Sequence, residues 1–440
     1  MAGPAAAGRK ELAGIPQLKH GERTGMIHAL TPVAALLIGV AILLTGQGLQ
    51  GTLVPVRAGL ENFSTISIGL IGAGYFLGFT VGCLKTGTLV RRVGHVRVFA
   101  AMTALASAMP LLQGMWTEAW IWGLMRLITG FCFAVLYVVI ESWINERSTN
   151  ENRGIVFATY VVITLTVMAG GQLMLLLFDP MQLRVFAIAS VLVSLAAIPV
   201  AMSTAQSPGQ PQSVKLDVLR LYRFCPTATL GCLVVGLTNG SFWSLAPVFT
   251  AGYSTDVSLA AWFMTSGVIG GALGQWPLGY LSDKVGRRQV LVAAAIGGGI
   301  TGLVIVMLGS DLSLLKINLL GAAWGAMAFP LYSISVAHAN DYADPDDYVR
   351  ISSGLLLMYG SGAVTGPFLA SAAMTLVGSP GLYLFSGAMH VFLVVYVVVR
   401  TFRREPAPED QHIAFSDALA TTYTASQVYE EEIQAHATAE

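Results

Sequence analysis

The chain has 440 residues; 55% are hydrophobic, 11% are charged, and 24 basic side chains balance 24 acidic ones. A mean hydropathy of +0.67 excludes an ordinary soluble domain of this length. No catalytic serine elbow, zinc-ligand spacing or nucleotide-binding loop is present. A non-enzyme is therefore expected, with no cofactor, no metal and no nucleic-acid partner. A helix needs about 20 apolar residues to cross a bilayer, and twelve such spans leave room for short loops and two tails.

Residues 1–27 are polar and lack the apolar core of a cleavable leader, so the first apolar run is expected to be a retained helix. Spans one to six are expected at about 28–56, 65–90, 98–115, 119–141, 154–178 and 183–202. A charged loop, SWINERSTNENRG, leads into span five. Residues 203–223 open with the longest polar interruption, rich in Pro, Gly, Ser and Gln, and read as a linker between a first bundle at 28–202 and a second at 224–400. Spans seven to twelve follow at about 224–250, 258–280, 289–309, 313–338, 349–376 and 380–399. Residues 401–440 form a tail that carries Glu405, Glu409, Asp410, Asp417 and Glu430–Glu432 but no Lys or Arg after Arg404. It is expected to be mobile.

Lys and Arg mark the cytoplasmic side of a membrane protein. Of the 24 here, all but Arg57, Arg184, Lys316 and the intramembrane Arg126 fall on the side that holds both termini. Both termini are therefore expected on the cytoplasmic side of a membrane that the chain spans many times.

The halves repeat. At one constant offset, Gly48, Leu53, Pro55 and Val56 fall on Gly240, Leu245, Pro247 and Val248. The same offset puts Gly78, Gly82 and Gly87 on Gly270, Gly274 and Gly279, and Arg92, Val93 and Gly94 on Lys284, Val285 and Gly286. Such a parallel repeat about a central linker is a transporter layout.

The stretch Gly279 to Gln289, GYLSDKVGRRQ, joins two apolar runs. Gly279 and Gly286 bracket Asp283, Lys284, Arg287 and Arg288, so the stretch reads as a turn at the membrane surface, with glycine permitting a tight bend at both ends. It resembles the G-x-x-x-D-R/K-x-G-R-R loop signature of the major facilitator superfamily at every specified position. GQWPLGYLSDKVGRRQVLV is most similar to the bacterial YcaD-like branch. The resemblance covers about residues 28–400 and implies an all-α membrane protein of twelve transmembrane helices in two pseudo-symmetric six-helix bundles. It also implies a cytoplasmic gate. There Asp283 would meet the start of span five near Arg153. Its counterpart in the first half is Arg91, next to Arg92, which would meet Asp344, Asp346 or Asp347 at the start of span eleven. Those aspartates read equally well as helix caps.

Arg126, in LMRLITGFCFA on span four, resembles the family's second motif, an Arg followed four residues later by Gly. A buried Arg should face a wet cavity or polar partners. Substrate binding, coupling and structural hydrogen bonding all fit it. Glu141, at the end of span four, is the acidic residue nearest to a span interior. His338 and His390 could titrate near neutral pH. In the implied fold, spans one, four, seven and ten line the central cavity, which singles out Gln47, Gln50, Asn239, Trp243, Asn318, Trp324 and Tyr332. Spans five, eight and eleven add Gln172, Gln275 and Tyr359. Each alone reads equally as a helix–helix hydrogen bond or an interfacial anchor. The antiporter signature G-x-x-x-G-P is absent from span five, where the chain reads MAGGQLM, and a similar GAVTGP stands at 362–367 instead.

The expected function is secondary active transport of a small solute by alternating access, with a polar or anionic metabolite favoured. Efflux of amphipathic compounds, and a membrane sensor or assembly factor with the same fold, are the alternatives. The expected partners are a small-molecule substrate and the lipid bilayer. Coupling to protons or another ion is left open, and a monomer is expected.

Overall fold

The computed structural model describes residues 33–148, 153–202, 218–308, 313–343 and 347–403, together with Phe415. Twelve helices there are long and apolar enough to cross a membrane. They are α1 (Ala34–Leu60), α2 (Thr65–Val93), α3 (His95–Met115), α4 (Ala119–Glu146), α5 (Ile155–Leu177), α6 (Leu183–Ala201), α7 (Pro226–Ala251), α8 (Val257–Val285), α9 (Arg287–Leu308), α10 (Leu314–Asn340), α11 (Arg350–Val377) and α12 (Gly381–Thr401). No strand occurs among the described residues. In hydrocarbon a helix satisfies its own backbone groups, which is why each apolar run takes this form. The expected tail at 1–27, most of the linker and nearly all of the tail at 401–440 lie outside the described residues. The linker's last residues enter a short helix, Val218–Phe224, that leads into α7.

Two turns are tighter than the sequence suggests. A single glycine separates α2 from α3 and another separates α8 from α9, with Gly94 at φ +91° and Gly286 at φ +112°. Only a residue without Cβ holds that backbone without strain. Gly279, read from sequence as the other end of the second turn, lies inside α8, which runs on through Asp283 and Lys284 to Val285. Likewise α4 continues to Glu146, so Glu141 stands within a helix and the SWINE stretch is not a loop. Helices outlast their apolar runs because charged side chains can extend beyond the hydrocarbon while the backbone remains hydrogen-bonded.

The sequence repeat recurs as packing. A Cβ on Gly78 would land on the Leu127 carbonyl of α4, and one on Gly82 would meet Phe131 O. In the second half, a Cβ on Gly270 would land on Ala322 O of α10, and one on Gly274 on Ala326 O. The pairs α2–α4 and α8–α10 therefore approach backbone to backbone at equivalent places. Gly48 and Gly240 do the same for α1–α5 and α7–α11, against Met168 O and Ala363 O.

The side where α6 ends and α7 begins is here the linker side, and the opposite side the far side. On the far side one continuous apolar core joins the halves. It runs from Leu49, Leu53 and Ile68 of the first half to Phe242, Phe249, Phe263 and Tyr383 of the second. On the linker side the core divides in two. One part, with Leu44, Phe99, Phe133 and Val193, belongs to the first half. The other, with Cys232, Leu291, Leu331 and Leu393, belongs to the second. Contacts between the halves follow suit. Ser244 of α7 fills the place a Gly72 Cβ would take on α2, and Ser371 of α11 does so at Gly69. The Thr265 hydroxyl of α8 donates to Gln172 Oε1 of α5 at 3.2 Å. The seam is thus closed on the far side.

Alanine at Gly78 should drive α2 off α4, because overpacking of a tight contact costs about 1–3 kcal/mol. Gly123 has open space beyond its Cα, so alanine there should be neutral or mildly stabilising. Thermal unfolding of detergent-solubilised Gly78→Ala and Gly123→Ala checks this, with a clear drop in Tm expected for the first alone.

Candidate functional site

The site begins with the close approach of α2 and α4. A Cβ on Gly130 would fall on Tyr75 O, so the glycine four residues after Arg126 seats α4 against the Tyr75 backbone. This places the Arg126 guanidinium 4.3 Å from the Tyr75 ring centroid, a cation–π contact. Three helical turns on from Arg126, on the same face of α4, comes Tyr137. Gln47 of α1 ties the group together. Its Nε2 donates to Tyr75 Oη at 2.8 Å, and its Oε1 accepts from Tyr137 Oη at 2.8 Å. Phe79, one turn from Tyr75, closes the cluster with rings 6.2 Å from Tyr75 and 6.1 Å from Tyr137.

Gln47 is held at both ends of its amide. Arg126 is not: beside the ring contact it makes no ion pair and no hydrogen bond among the described residues. A half-buried planar cation about two helical turns in from the far-side start of α4, its N–H donors unpartnered among the described residues, suits a carboxylate or phosphate.

The second half offers aromatic faces. Trp243 of α7 stacks on Phe329 of α10, centroids 5.8 Å apart and planes 10° apart, where α10 breaks before Pro330. Tyr332 meets Tyr359 edge to face at 5.0 Å. Asn239 lies one turn before Trp243 and is buried, with its Oδ1 unpartnered among the described residues. Gln275 Nε2 donates to Ser333 Oγ at 2.8 Å.

Other residues singled out from sequence stand elsewhere. Trp324 is 1% exposed and stacks on Phe242 at 4.9 Å inside the far-side core, so it is a packing residue. Gln172 is spent on Thr265 across the closed seam. Gln50 is buried on α1 with neither amide atom partnered among the described residues. Asn318 lies near the far end of α10 with its Oδ1 unpartnered among the described residues. Gly362 and Gly366 of GAVTGP bring α11 onto Leu233 O and Leu237 O of α7, so the string serves helix packing here.

On the linker side the signature residues of the second half bind one another. Arg287 pairs with Asp283 at 2.5 Å and with Asp341 at 3.3 Å, and donates to Ser282 Oγ at 2.6 Å. The Arg287 and Asp341 side chains are only 3% and 2% exposed. Asp341 caps the C-terminal end of α10, where the helix dipole disfavours an anion, and Arg287 offsets that. Breaking such a buried pair costs about 3–5 kcal/mol. Arg288 Nη2 donates to Tyr342 Oη at 2.9 Å, and the Lys284 ammonium stands 4.5 Å from the Tyr280 ring centroid. Asp347 pairs with Arg350, three residues on, at 3.3 Å. Arg91 and Arg92 are exposed, and Arg91 reaches Thr88 Oγ1 at 3.5 Å. Asp344, Asp346 and the Arg153 side chain lie outside the described residues.

Sequence reasoning passed over Tyr75 and Tyr137, because tyrosine inside an apolar run carries no contrast. It also passed over Asp341, one acid among several in DYADPDD.

Comparison with known proteins agrees with this architecture. Residues 228–429 match the profile described as Major Facilitator Superfamily, and residues 23–209 match the one described as Sugar (and other) transporter. The uncharacterized MFS-type transporter Ent638_1421 of Enterobacter sp. (strain 638) is 28% identical over 383 residues, covering 86% of this chain and 97% of that protein. The uncharacterized MFS-type transporter YcaD of Salmonella typhi is 27% identical over 381 residues, with the same coverage. The crystal structure of the nucleoside transporter NupG superposes with a TM-score of 0.74 at 14% identity, covering 85% of this chain and all of that one. The chain belongs to the major facilitator superfamily and is a multi-pass membrane transporter that is similar over most of its length to the YcaD-like proteins.

Proposed function

We propose that the protein carries a small anionic or electron-rich solute across the bacterial inner membrane by alternating access, and that Arg126 on its Tyr75 platform holds that solute. The observation that carries this reading is a half-buried guanidinium with no described carboxylate beside it. In surroundings drier than water its field is stronger than at an exposed site. Trp243, Tyr332 and Tyr359 supply flat faces for the rest of the solute from the second half. The split core supports the alternation, because it gives the halves two separate linker-side surfaces that can come together. The Lys and Arg distribution supports a cytoplasmic linker side. Maleimide added outside intact cells should then label a Thr255→Cys variant and spare Val285→Cys.

A thermal-shift screen of the purified protein against small carboxylates and phosphates supplies the solute for uptake into proteoliposomes. Arg126→Gln should leave the protein folded and lower apparent affinity about 10- to 100-fold, the equivalent of ~1.5–3 kcal/mol for hydrogen bonds to a charged group. Arg126→Lys should restore little, because the planar fork is gone. Unchanged affinity and rate in Arg126→Gln would make the residue structural.

A second residue supports proton coupling. Glu141 of α4 is 4% exposed, and its Oε1 accepts from Tyr160 Oη of α5 at 3.1 Å. Its Oε2 has no partner, and no cation lies within ion-pair distance, among the described residues. We assign the transported proton to this carboxylate. Glu141→Gln should retain solute exchange between the two sides and lose accumulation driven by a pH gradient. Full gradient-driven accumulation in that variant would remove Glu141 from the coupling.

A further inference from the structure

The hydrogen bonds of Gln47 leave one proton without an acceptor. A glutamine amide accepts only at its oxygen and donates only at its nitrogen. Gln47 Oε1 accepts from Tyr137 Oη at 2.8 Å, so it is Nε2 that faces Tyr75 and donates to Tyr75 Oη at 2.8 Å. Tyr75 is thereby held as an acceptor toward Gln47, and its own O–H has to point elsewhere. That O–H finds no acceptor among the described residues, although Tyr75 is only 8% exposed. The Arg126 guanidinium, 4.3 Å from the centroid of the same ring, lacks an acceptor among them too. Two donors without acceptors therefore stand on one ring, one over its face and one at its rim.

The second half shows which of these residues go together. Gly130 meets Tyr75 O, and Gly325 meets Gly267 O in the same way, so Gly267 is the counterpart of Tyr75. Counting from these two glycines along α4 and α10, Gly321 is the counterpart of Arg126, and Tyr332 that of Tyr137. The constant offset between α1 and α7 makes Asn239 the counterpart of Gln47. The second half thus keeps the amide and one tyrosine, and lacks both the arginine and the tyrosine beneath it. A Cβ on Gly267 would run into the Phe242 ring and one on Gly321 into the Phe263 ring, so apolar packing occupies those places. A tyrosine that served only to satisfy the amide would be wanted wherever the amide is kept. Tyr75 instead goes with the charge.

We propose that Tyr75 is a direct ligand of the solute: its hydroxyl, aimed by Gln47, donates to one oxygen of an anionic group whose other oxygen Arg126 holds. The inference rests on the reading of Arg126 as the solute site and narrows it. The solute ends in a group with at least two acceptor oxygens, a carboxylate or a phosphate. That end enters toward the first half, because the second half has phenylalanine rings in the equivalent places. Gln47 is a positioning residue, acting on the solute only through the Tyr75 hydroxyl.

Titration calorimetry of the purified full chain with benzoate, phenyl phosphate and benzamide tests this, benzamide being the neutral counterpart of benzoate. At least one of the two oxyanions should bind. Tyr75→Phe keeps the ring under Arg126 and should weaken that oxyanion about tenfold or more, as for a hydrogen bond to a charged group, and benzamide far less. Gln47→Met should weaken the oxyanion as well, yet add nothing in the Tyr75→Phe background, because its effect passes through the hydroxyl. Unchanged oxyanion affinity in Tyr75→Phe beside a loss in Arg126→Gln would remove the hydroxyl from the site and leave the Arg126 reading standing. Equal losses for oxyanion and benzamide, or additive losses in the double variant, would make the Tyr75–Gln47 bond structural and overturn the proposal. Binding of neither oxyanion to the unaltered protein, or binding indifferent to both Tyr75→Phe and Arg126→Gln, would overturn it together with the Arg126 reading.

Discussion

The structure depends on the direct approach of helix backbones where glycine leaves no side chain between them. Lipid offers apolar surface as good as any neighbouring helix, so association in the membrane rests on close packing. Gly78 against Leu127 O and Gly270 against Ala322 O pull α2 onto α4 and α8 onto α10. The same contact in each half makes the halves similar rigid bodies. It also positions chemistry. Gly130 brings the α4 backbone to Tyr75, and without that approach the Arg126 guanidinium would not lie over the Tyr75 ring. The glycine of the Arg-x-x-x-Gly motif and its arginine therefore act together, one setting the distance that the other uses.

The two faces of the molecule differ in how the halves meet. Far-side contacts combine small residues, Ser244 at Gly72 and Ser371 at Gly69, with hydrogen bonds from the Thr265 hydroxyl to Gln172 Oε1 at 3.2 Å and to Ala169 O at 3.5 Å. Small residues and the Thr265 hydrogen bonds, beside the apolar core that the halves share, make a far-side surface that packs tightly. Linker-side order is instead internal to each half. Arg287 holds Asp283, Ser282 and Asp341 within the second half, so the α8–α9 turn and the end of α10 move as one unit. A second half held together at its linker end, meeting the first across a seam packed only on the far side, supports the rocking motion proposed above.

The spans were legible because hydropathy and a length of about 20 residues leave little choice, and the repeat was legible because glycines kept a constant offset. Helix ends were not. Asp283 looks like a loop residue in sequence and Glu141 like the last residue of its span, yet both stand on helices that outlast the apolar run. Arg126 was visible as a charge where none is expected. Its partners were not, since Tyr75, Tyr137 and Gln47 come from three helices and only packing decides which side chains face one another. Trp324 shows the converse: it has the residue type and span of a cavity residue, but its face of α10 is turned into the far-side core. The contact of the Phe415 ring with Gly279 was invisible because it depends on a missing side chain far away in sequence.

The central claim is that the halves rock about the site, closing one side as the other opens. Pulsed dipolar distances test it most directly, with label pairs at Asn62 and Thr255 on the far side and at Val93 and Val285 on the linker side. Both pairs are read with Gly72 intact and with Gly72→Leu, which displaces Ser244 from α2. The account predicts that the substitution lengthens the far-side distance and shortens the linker-side distance together. A longer far-side distance with the linker side unchanged would mean a local wedge in a rigid bundle, and would contradict the account.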